Sequence, residues 1–168
     1  MLIKLIGGFL IVAGCAFVGF LKADELSKRE HSLMNLKTAF NLLEGEIMYS
    51  SSQLKFAFER VSRLSGCGEL FLSASEKILD MGASDGWRCA VSETKELLGL
   101  KETDREILDI FAAGLGVSDR EQQVKNIRHI SSLLEDALKD ASAEYDKSAK
   151  VYRSMGLLGG LFVFIMLL

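Results

Sequence analysis

Apolar residues recur at three- and four-residue spacing through a long stretch that follows Ser118. They are Val124, Ile127, Leu134, Leu138, Ala141, Tyr145 and Tyr152, with small Ser131 and Ser148 in the same register. This spacing places one apolar stripe on one helix face. Ser118 precedes Glu121 by three residues, the pattern of a capping box. We therefore predict that a long helix begins here and continues without a Pro or Gly to Gly156.

A second apolar stripe predicts another long helix, which ends near Tyr49. Its positions are Leu33, Leu36, Phe40, Leu43 and Ile47. Four shorter patterns follow, at about 54–64, 70–81, 87–98 and 103–114. The segment 82–86 reads as a turn, and a second capping box starts at Thr103. The chain contains no Pro and no sustained strand-like alternation, so we predict an all-α bundle of about six helices, with two long outer ones.

Both ends of the chain are apolar. An uncharged run lies between Lys4 and Lys22, and 155–168 carries no charge. As helices these runs would be about 25 Å and 21 Å long, short for a ~30 Å hydrocarbon core. We predict two transmembrane segments, at 1–22 and 155–168, which continue the outer helices and enclose a helical domain at 23–154.

Two alternatives to these spans remain open. The sequence Val12-Ala13-Gly14-Cys15 looks like a lipoprotein signal, although the residues after Cys15 stay apolar. The C-terminal run could instead lie in the membrane interface or pack on a partner.

Basic residues flank the middle segment at both ends. They are Lys22, Lys28, Arg29, Lys37, Lys147, Lys150 and Arg153, whereas the opposite side has only Lys4 and the amino terminus. The positive-inside rule therefore predicts that the middle domain is cytoplasmic and that both ends lie outside. Cys67 and Cys89 should then react with thiol reagents from the cytoplasmic side only.

Small residues stand four apart in each predicted span: Cys15 and Gly19 in the first, Gly156 and Gly160 in the second. This spacing lets transmembrane helices approach closely, and we predict packing at these positions. Chance spacing in Gly-rich segments is the competing explanation.

The composition argues against several classes of function. The net charge is -3, which gives no indication of a nucleic-acid partner. The three cysteines form no CxxC pair, so neither a disulfide framework nor a zinc site is expected.

We find no catalytic motif, and we predict that the chain is not an enzyme and needs no cofactor or metal. His31 and His129 fall on predicted helix surfaces. Asp136, Asp140 and Glu144 form an acidic row at four-residue spacing that could hold a cation, but nearby basic residues favour a salt-bridged face.

The end of the first long helix carries Glu44, Glu46 and Tyr49. The two carboxylates fall on different helix faces, so they cannot act as a catalytic pair. One of these carboxylates is expected to cap or bind a neighbouring helix, and the other to face a partner protein.

Three stretches together resemble the stage III sporulation protein AB family. Residues 42–49 match its LE-x-EI-x-Y pattern at the end of the first long helix, and Trp87 resembles its mid-domain Trp. Residues 115–123 resemble its LG-x-SD-x-x-x-Q turn, with Gln123 last. One departure is the absence of the Pro that is common in the family before Leu54. The resemblance covers essentially the whole chain.

The resemblance implies a fold like the cytoplasmic domain of type II secretion platform protein F. It implies a non-enzymatic platform in the complex that connects mother cell and forespore in sporulating bacteria, located in the mother-cell membrane that faces the forespore. The implied partners are the cytoplasmic ATPase, stage III sporulation protein AA, and the other membrane proteins of the complex.

Candidate contacts with these partners are Glu44, Glu46, Tyr49, Ser118, Asp119 and Gln123. For Ser118 and Asp119, helix capping is the simpler role. Two other functions remain open: a membrane-tethered metal sensor that uses the acidic row, and a membrane scaffold that self-assembles through its Gly faces. The chain is also a candidate for homo-oligomer formation.

Overall fold

The described part of the chain folds into six α-helices. The computed structural model describes residues 2–49, 53–116 and 119–167, without the side chains of 2–12, 15, 16, 150, 153, 156, 157, 160, 161 and 163–167. The helices are α1 (Leu2–Tyr49), α2 (Leu54–Leu64), α3 (Gly68–Met81), α4 (Ala83–Leu98), α5 (Glu102–Gly114) and α6 (Arg120–Leu167). No strand occurs in these described ranges. The all-α prediction, with six helices of which the first and last are long, is confirmed.

The start of α6 differs from the prediction. The helix begins at Arg120, and the backbone N–H of Gln122 donates a hydrogen bond to Asp119 Oδ1 at 2.8 Å. Asp119 is thus the cap that the structure describes, whereas the predicted cap, Ser118, lies outside the described residues. A carboxylate suits this position because it also interacts favourably with the helix dipole.

The start of α5 also differs from the prediction. Helix α5 begins at Glu102, so Thr103 lies inside it and does not cap it. At its start, Asp104 Oδ2 accepts a hydrogen bond from the backbone N–H of Lys101 at 2.9 Å.

The predicted turn at 82–86 is wrong in extent. Gly82, with φ 86°, makes the turn alone, and α4 begins at Ala83. Gly86 lies inside α4, where a Cβ would approach the backbone N of Ile78 to 2.8 Å. It therefore serves the close packing of α3 and α4 rather than a turn.

The structure divides into two compact units, which we describe separately. The central body comprises His31–Lys139, and the terminal unit comprises Met1–Glu30 together with Asp140–Leu168. The helices α1 and α6 each contribute to both units.

The central body has an aromatic core. Its rings make edge-on or tilted contacts with centroids 4.8–6.0 Å apart and belong to Phe40, Phe58, Phe71, Trp87 and Phe111. All five side chains are buried. Trp87 Nε1 donates a hydrogen bond to the backbone oxygen of Leu108 at 3.0 Å, so its polar atom is satisfied. Trp87 therefore lies at the centre of the aromatic core and contacts the other four rings.

The terminal unit buries small residues instead: Gly19, Ala23, Ala141 and Ala149. It also buries the guanidinium group of Arg29, whose side chain is only 8% exposed. Arg29 Nη1 lies 3.1 Å from Glu144 Oε2. Large apolar side chains of this unit are exposed, namely Phe17, Val18, Phe20, Leu21, Val151, Met155, Leu158 and Phe162.

Among the described residues, no helix has a stretch that is both long enough and apolar enough to cross a membrane. The two transmembrane segments therefore stay a prediction. Of the predicted packing positions, Gly19 is buried, whereas the side-chain surroundings of Cys15, Gly156 and Gly160 lie outside the description.

Candidate protein-binding surface

The end of α1 and the start of α6 lie side by side in the central body. Arg128 Nε on α6 donates a hydrogen bond to Glu44 Oε1 on α1 at 2.7 Å. Five of the six predicted contact residues, all except Ser118, belong to the two helix ends that form this junction. The spacing along the chain does not reveal this pairing, because 84 positions separate the two residues.

Glu44 and Glu46 contact different helices. While Glu44 pairs with Arg128, Glu46 Oε2 accepts a hydrogen bond from Arg60 Nη1 on α2 at 3.0 Å. Solvent-accessible pairs of this kind contribute only about 0–1 kcal/mol each. Together they hold the end of α1 against two neighbours, which fixes the direction in which the helix ends.

Tyr49 is the last residue of α1, and its side chain is 86% exposed. Its hydroxyl has no hydrogen-bond partner among the described residues. Exposed aromatic side chains on a rigid support are frequent centres of protein interfaces, because burying one ring costs little conformational entropy. Of the predicted contact residues, Tyr49 is therefore the most available to a partner.

The predicted contacts on α6 are partly used within the chain. One oxygen of Asp119 caps the helix, although the residue is exposed. Gln123 is half-buried, and its backbone N–H donates to the Asp119 carbonyl at 2.9 Å. Ser118 lies outside the described residues.

A groove of about 400 Å³ lies between the end of α1 and the start of α6, and we call it the α1–α6 groove. Its lining consists of Met48, Arg120, Glu121, Val124, Lys125 and Arg128. The surface of the groove is almost wholly apolar, although four of its six lining residues are charged, three positively and one negatively. Lys125 Nζ lies 2.8 Å from Glu121 Oε1. Such a groove suits an apolar side chain flanked by carboxylates.

Sequence reasoning missed this groove. Val124 belongs to the predicted apolar stripe of α6, and Met48 directly follows Ile47, the last position of the α1 stripe. Their juxtaposition depends on how the two helices pair, which periodicity does not specify.

One cluster of polar side chains has the composition of a catalytic site. Lys77 Nζ donates to Glu93 Oε2 at 2.7 Å and to Ser73 Oγ at 3.1 Å, while Cys89 Sγ lies 3.8 Å from Glu93 Oε1. The hydrogen bond with Glu93 raises the pKa of Lys77, and the same bond lowers the pKa of Glu93. A lysine that activates a serine must be neutral, and this one is held protonated. The cluster therefore ties α3 to α4.

The acidic row does not gather around a cation site. Asp136 pairs with Lys139 at 3.2 Å, and Glu144 pairs with Arg29. No group of three or more His, Cys, Asp or Glu side chains suited to a metal occurs in the part of the chain that the structure describes. Both histidines, His31 and His129, are exposed.

Comparison with known proteins gives consistent matches to one family. Residues 4–168 match the family model described as stage III sporulation protein AB. Stage III sporulation protein AB of Bacillus subtilis (strain 168) is 30% identical over 171 residues, which cover 99% of this chain and 100% of that protein. A solved structure of stage III sporulation protein AB is similar, with a TM-score of 0.65 and 27% identity, and covers 70% of this chain and 96% of the solved chain.

Proposed function

The chain belongs to the stage III sporulation protein AB family, and from this we propose that it is a non-enzymatic platform protein of the complex that joins mother cell and forespore. The family places the chain in sporulation. Support for a role without catalysis comes from Lys77, Glu93 and Ser73, whose hydrogen bonds tie α3 to α4.

The proposed platform is held in the mother-cell membrane by the two ends of the chain. Support comes from the terminal unit, which exposes large apolar side chains on both of its helices, including Phe20 and Phe162. Large apolar side chains exposed in this number favour an apolar environment. The basic residues that flank the predicted spans favour a cytoplasmic central body.

The proposed partner of the central body is the cytoplasmic ATPase, stage III sporulation protein AA, and the proposed contact is the end of α1. The observation that carries this proposal is the 86% exposure of Tyr49 on a helix end that two ion pairs hold in place. Glu46, near the end of α1, and Asp119, at the start of α6, supply negative charge on the two helix ends that form this junction. Other membrane proteins of the complex would contact the remaining surfaces.

The test is capture of the purified ATPase by the full chain. We expect Tyr49→Ala to weaken capture by about 30-fold, the effect of losing an interface hot spot. Reversal of charge in Glu46→Arg should weaken it less. A control is Leu97→Ala, which removes a half-exposed apolar side chain from α4 and should change nothing.

Two outcomes would contradict the proposal. Undiminished capture by both Tyr49→Ala and Glu46→Arg would remove the end of α1 from the interface. Absence of capture by the unaltered chain would remove the ATPase as a direct partner.

A further inference from the structure

The α1–α6 groove combines an apolar lining with basic side chains at its rim. Its apolar residues are Met48 and Val124, and the cations around them are Arg120, Lys125 and Arg128. The one carboxylate of the lining, Glu121, is already paired with Lys125. Three cations face two carboxylates here, Glu121 in the lining and Glu44, which pairs with Arg128, so a complementary occupant carries apolar side chains and negative charge.

The central body itself carries a surface of that chemistry. One exposed stripe of α3 follows three- and four-residue spacing, and we call it the α3 stripe: Glu69, Leu72, Glu76, Leu79 and Asp80. Its leucines are 48% and 63% exposed. The opposite face of α3 is buried through Leu70, Phe71 and Ala74, so the stripe points away from the core.

The α3 stripe carries three exposed carboxylates. Glu69, Glu76 and Asp80 form no ion pair or hydrogen bond with any residue that the structure describes. The nearest cation on the helix, Lys77, is bound to Glu93 of α4. Three carboxylates that form no ion pair and two exposed leucines therefore share this helix face, which no other described part of the chain covers.

We propose that the α1–α6 groove of one copy binds the α3 stripe of a second copy. Leu72 and Leu79 would cover the apolar lining, and the carboxylates would face the cations of the rim. The ion pairs of Lys125 and Arg128 within their own chain are solvent-accessible, so exchanging their partners costs little. Because groove and stripe are different surfaces, the contact is head-to-tail and can build a ring or a row of copies.

The experiment is sedimentation velocity of the purified full chain in mild detergent over a range of concentrations. The unaltered chain should associate. We expect Lys125→Glu, in the groove, and Glu76→Lys, in the stripe, each to weaken association by at least about tenfold, because each places like charges opposite one another. Leu79→Ser should weaken it without any change of charge. Circular dichroism establishes that the helical content is unchanged.

Mixing supplies the decisive result. A Lys125→Glu chain keeps an intact stripe and a Glu76→Lys chain keeps an intact groove, so an equal mixture should form pairs that neither variant forms alone. The matched control is Glu106→Lys, the same charge change at an exposed position of α5, which should associate like the unaltered chain.

Several results would overturn the proposal. One is an unaltered chain that stays monomeric at every concentration. Another is association that neither reversal weakens, which would place the contact elsewhere, for example on the Gly faces of the predicted spans. A third is loss of association in the groove variant alone, which would mean that a different segment fills the groove. The ATPase plays no part in this measurement, so its outcome is independent of the capture experiment.

Discussion

The same two helices have opposite surroundings in the central body and in the terminal unit. In the central body, α1 and α6 bury their large apolar side chains, such as Phe40 and Ile127. In the terminal unit the same helices leave Phe17, Met155 and Phe162 more than 60% exposed. The first unit makes its own apolar interior, whereas the second has apolar surface that its own residues do not cover. This contrast is the structural basis for proposing that the terminal unit sits in lipid.

The two interiors also differ in chemistry. Five aromatic side chains fill the central body, but the terminal unit brings its helices together through Ala23, Ala141 and Ala149 and through the Arg29–Glu144 pair. Small residues allow close backbone approach where little hydrophobic driving force is available between helices, as in a membrane. The difference predicts different responses to substitution.

The largest effect is expected at the aromatic core. Trp87→Ala should lower the free energy of unfolding by about 3–5 kcal/mol, because it leaves a cavity among four other rings. Denaturant unfolding followed by circular dichroism measures this. Phe56→Ala, at a half-exposed aromatic on α2, is the control and should cost less than about 1 kcal/mol. Equal losses would contradict the described core.

The next effect is expected in the terminal unit. Glu144→Ala should destabilise the chain by about 2–4 kcal/mol, because it leaves the buried Arg29 charge without this carboxylate. The double variant Arg29→Met/Glu144→Leu should recover most of that loss, since no buried charge remains. Thermal unfolding of the full chain in detergent compares the two. Failure of the double variant to recover stability would mean that the pair has a role beyond compensating a buried charge.

Two helical glycines give a smaller and opposite pair of effects. Gly86→Ala should destabilise the central body by about 1–3 kcal/mol, because the added methyl meets the backbone of α3. Gly45→Ala, within α1 and with no atom in reach of the new methyl, should stabilise by up to about 1 kcal/mol. Chemical denaturation of both variants measures this. Similar behaviour of the two would show that α3 and α4 are not closely packed at Gly86.

The smallest effect concerns pH. The pKa of Glu135 is lowered, first by its hydrogen bond with Lys37 and then by that with Lys139. A carboxylate whose pKa is depressed in the folded chain stabilises it above the ordinary pKa of 4.5, and that stability is lost as the pH falls through the folded value. Glu135→Gln should therefore reduce the loss of thermal stability below about pH 4.5. An unchanged acid profile would mean that the bond contributes nothing in solution.

Periodicity was sufficient to predict most of the fold. The apolar stripes of the long helices and the short segments between them have enough 3.6-residue character to locate six helices. Capping was less predictable, because Ser118, Asp119 and Thr103 are all acceptable caps by residue type. The sequence predicts a turn at Gly86 because a glycine that permits close helix packing cannot be told, by residue type alone, from one that ends a helix.

The candidate site was only partly predictable. Tyr49 follows from its place in the family pattern, but its exposure and the partners of Glu44 and Glu46 depend on tertiary pairing. The same limit applies to Cys67, which the sequence offered as an accessible thiol. The structure buries it, and burial raises the pKa of its thiol to about 11. Cys67 is therefore unsuitable as a reporter, whereas half-buried Cys89 remains usable.

Labelling of Cys89 in intact cells tests the central claim most directly, namely that the apolar terminal unit holds a cytoplasmic body at a membrane. In a Cys15→Ala chain, with buried Cys67 silent, a membrane-impermeant maleimide should leave Cys89 unmodified until the cells are permeabilised. A Leu168→Cys chain, altered at the predicted outer end, should react without permeabilisation. This control establishes that the reagent reaches the outer face of the membrane. Equal labelling of Cys89 before and after permeabilisation would contradict the account.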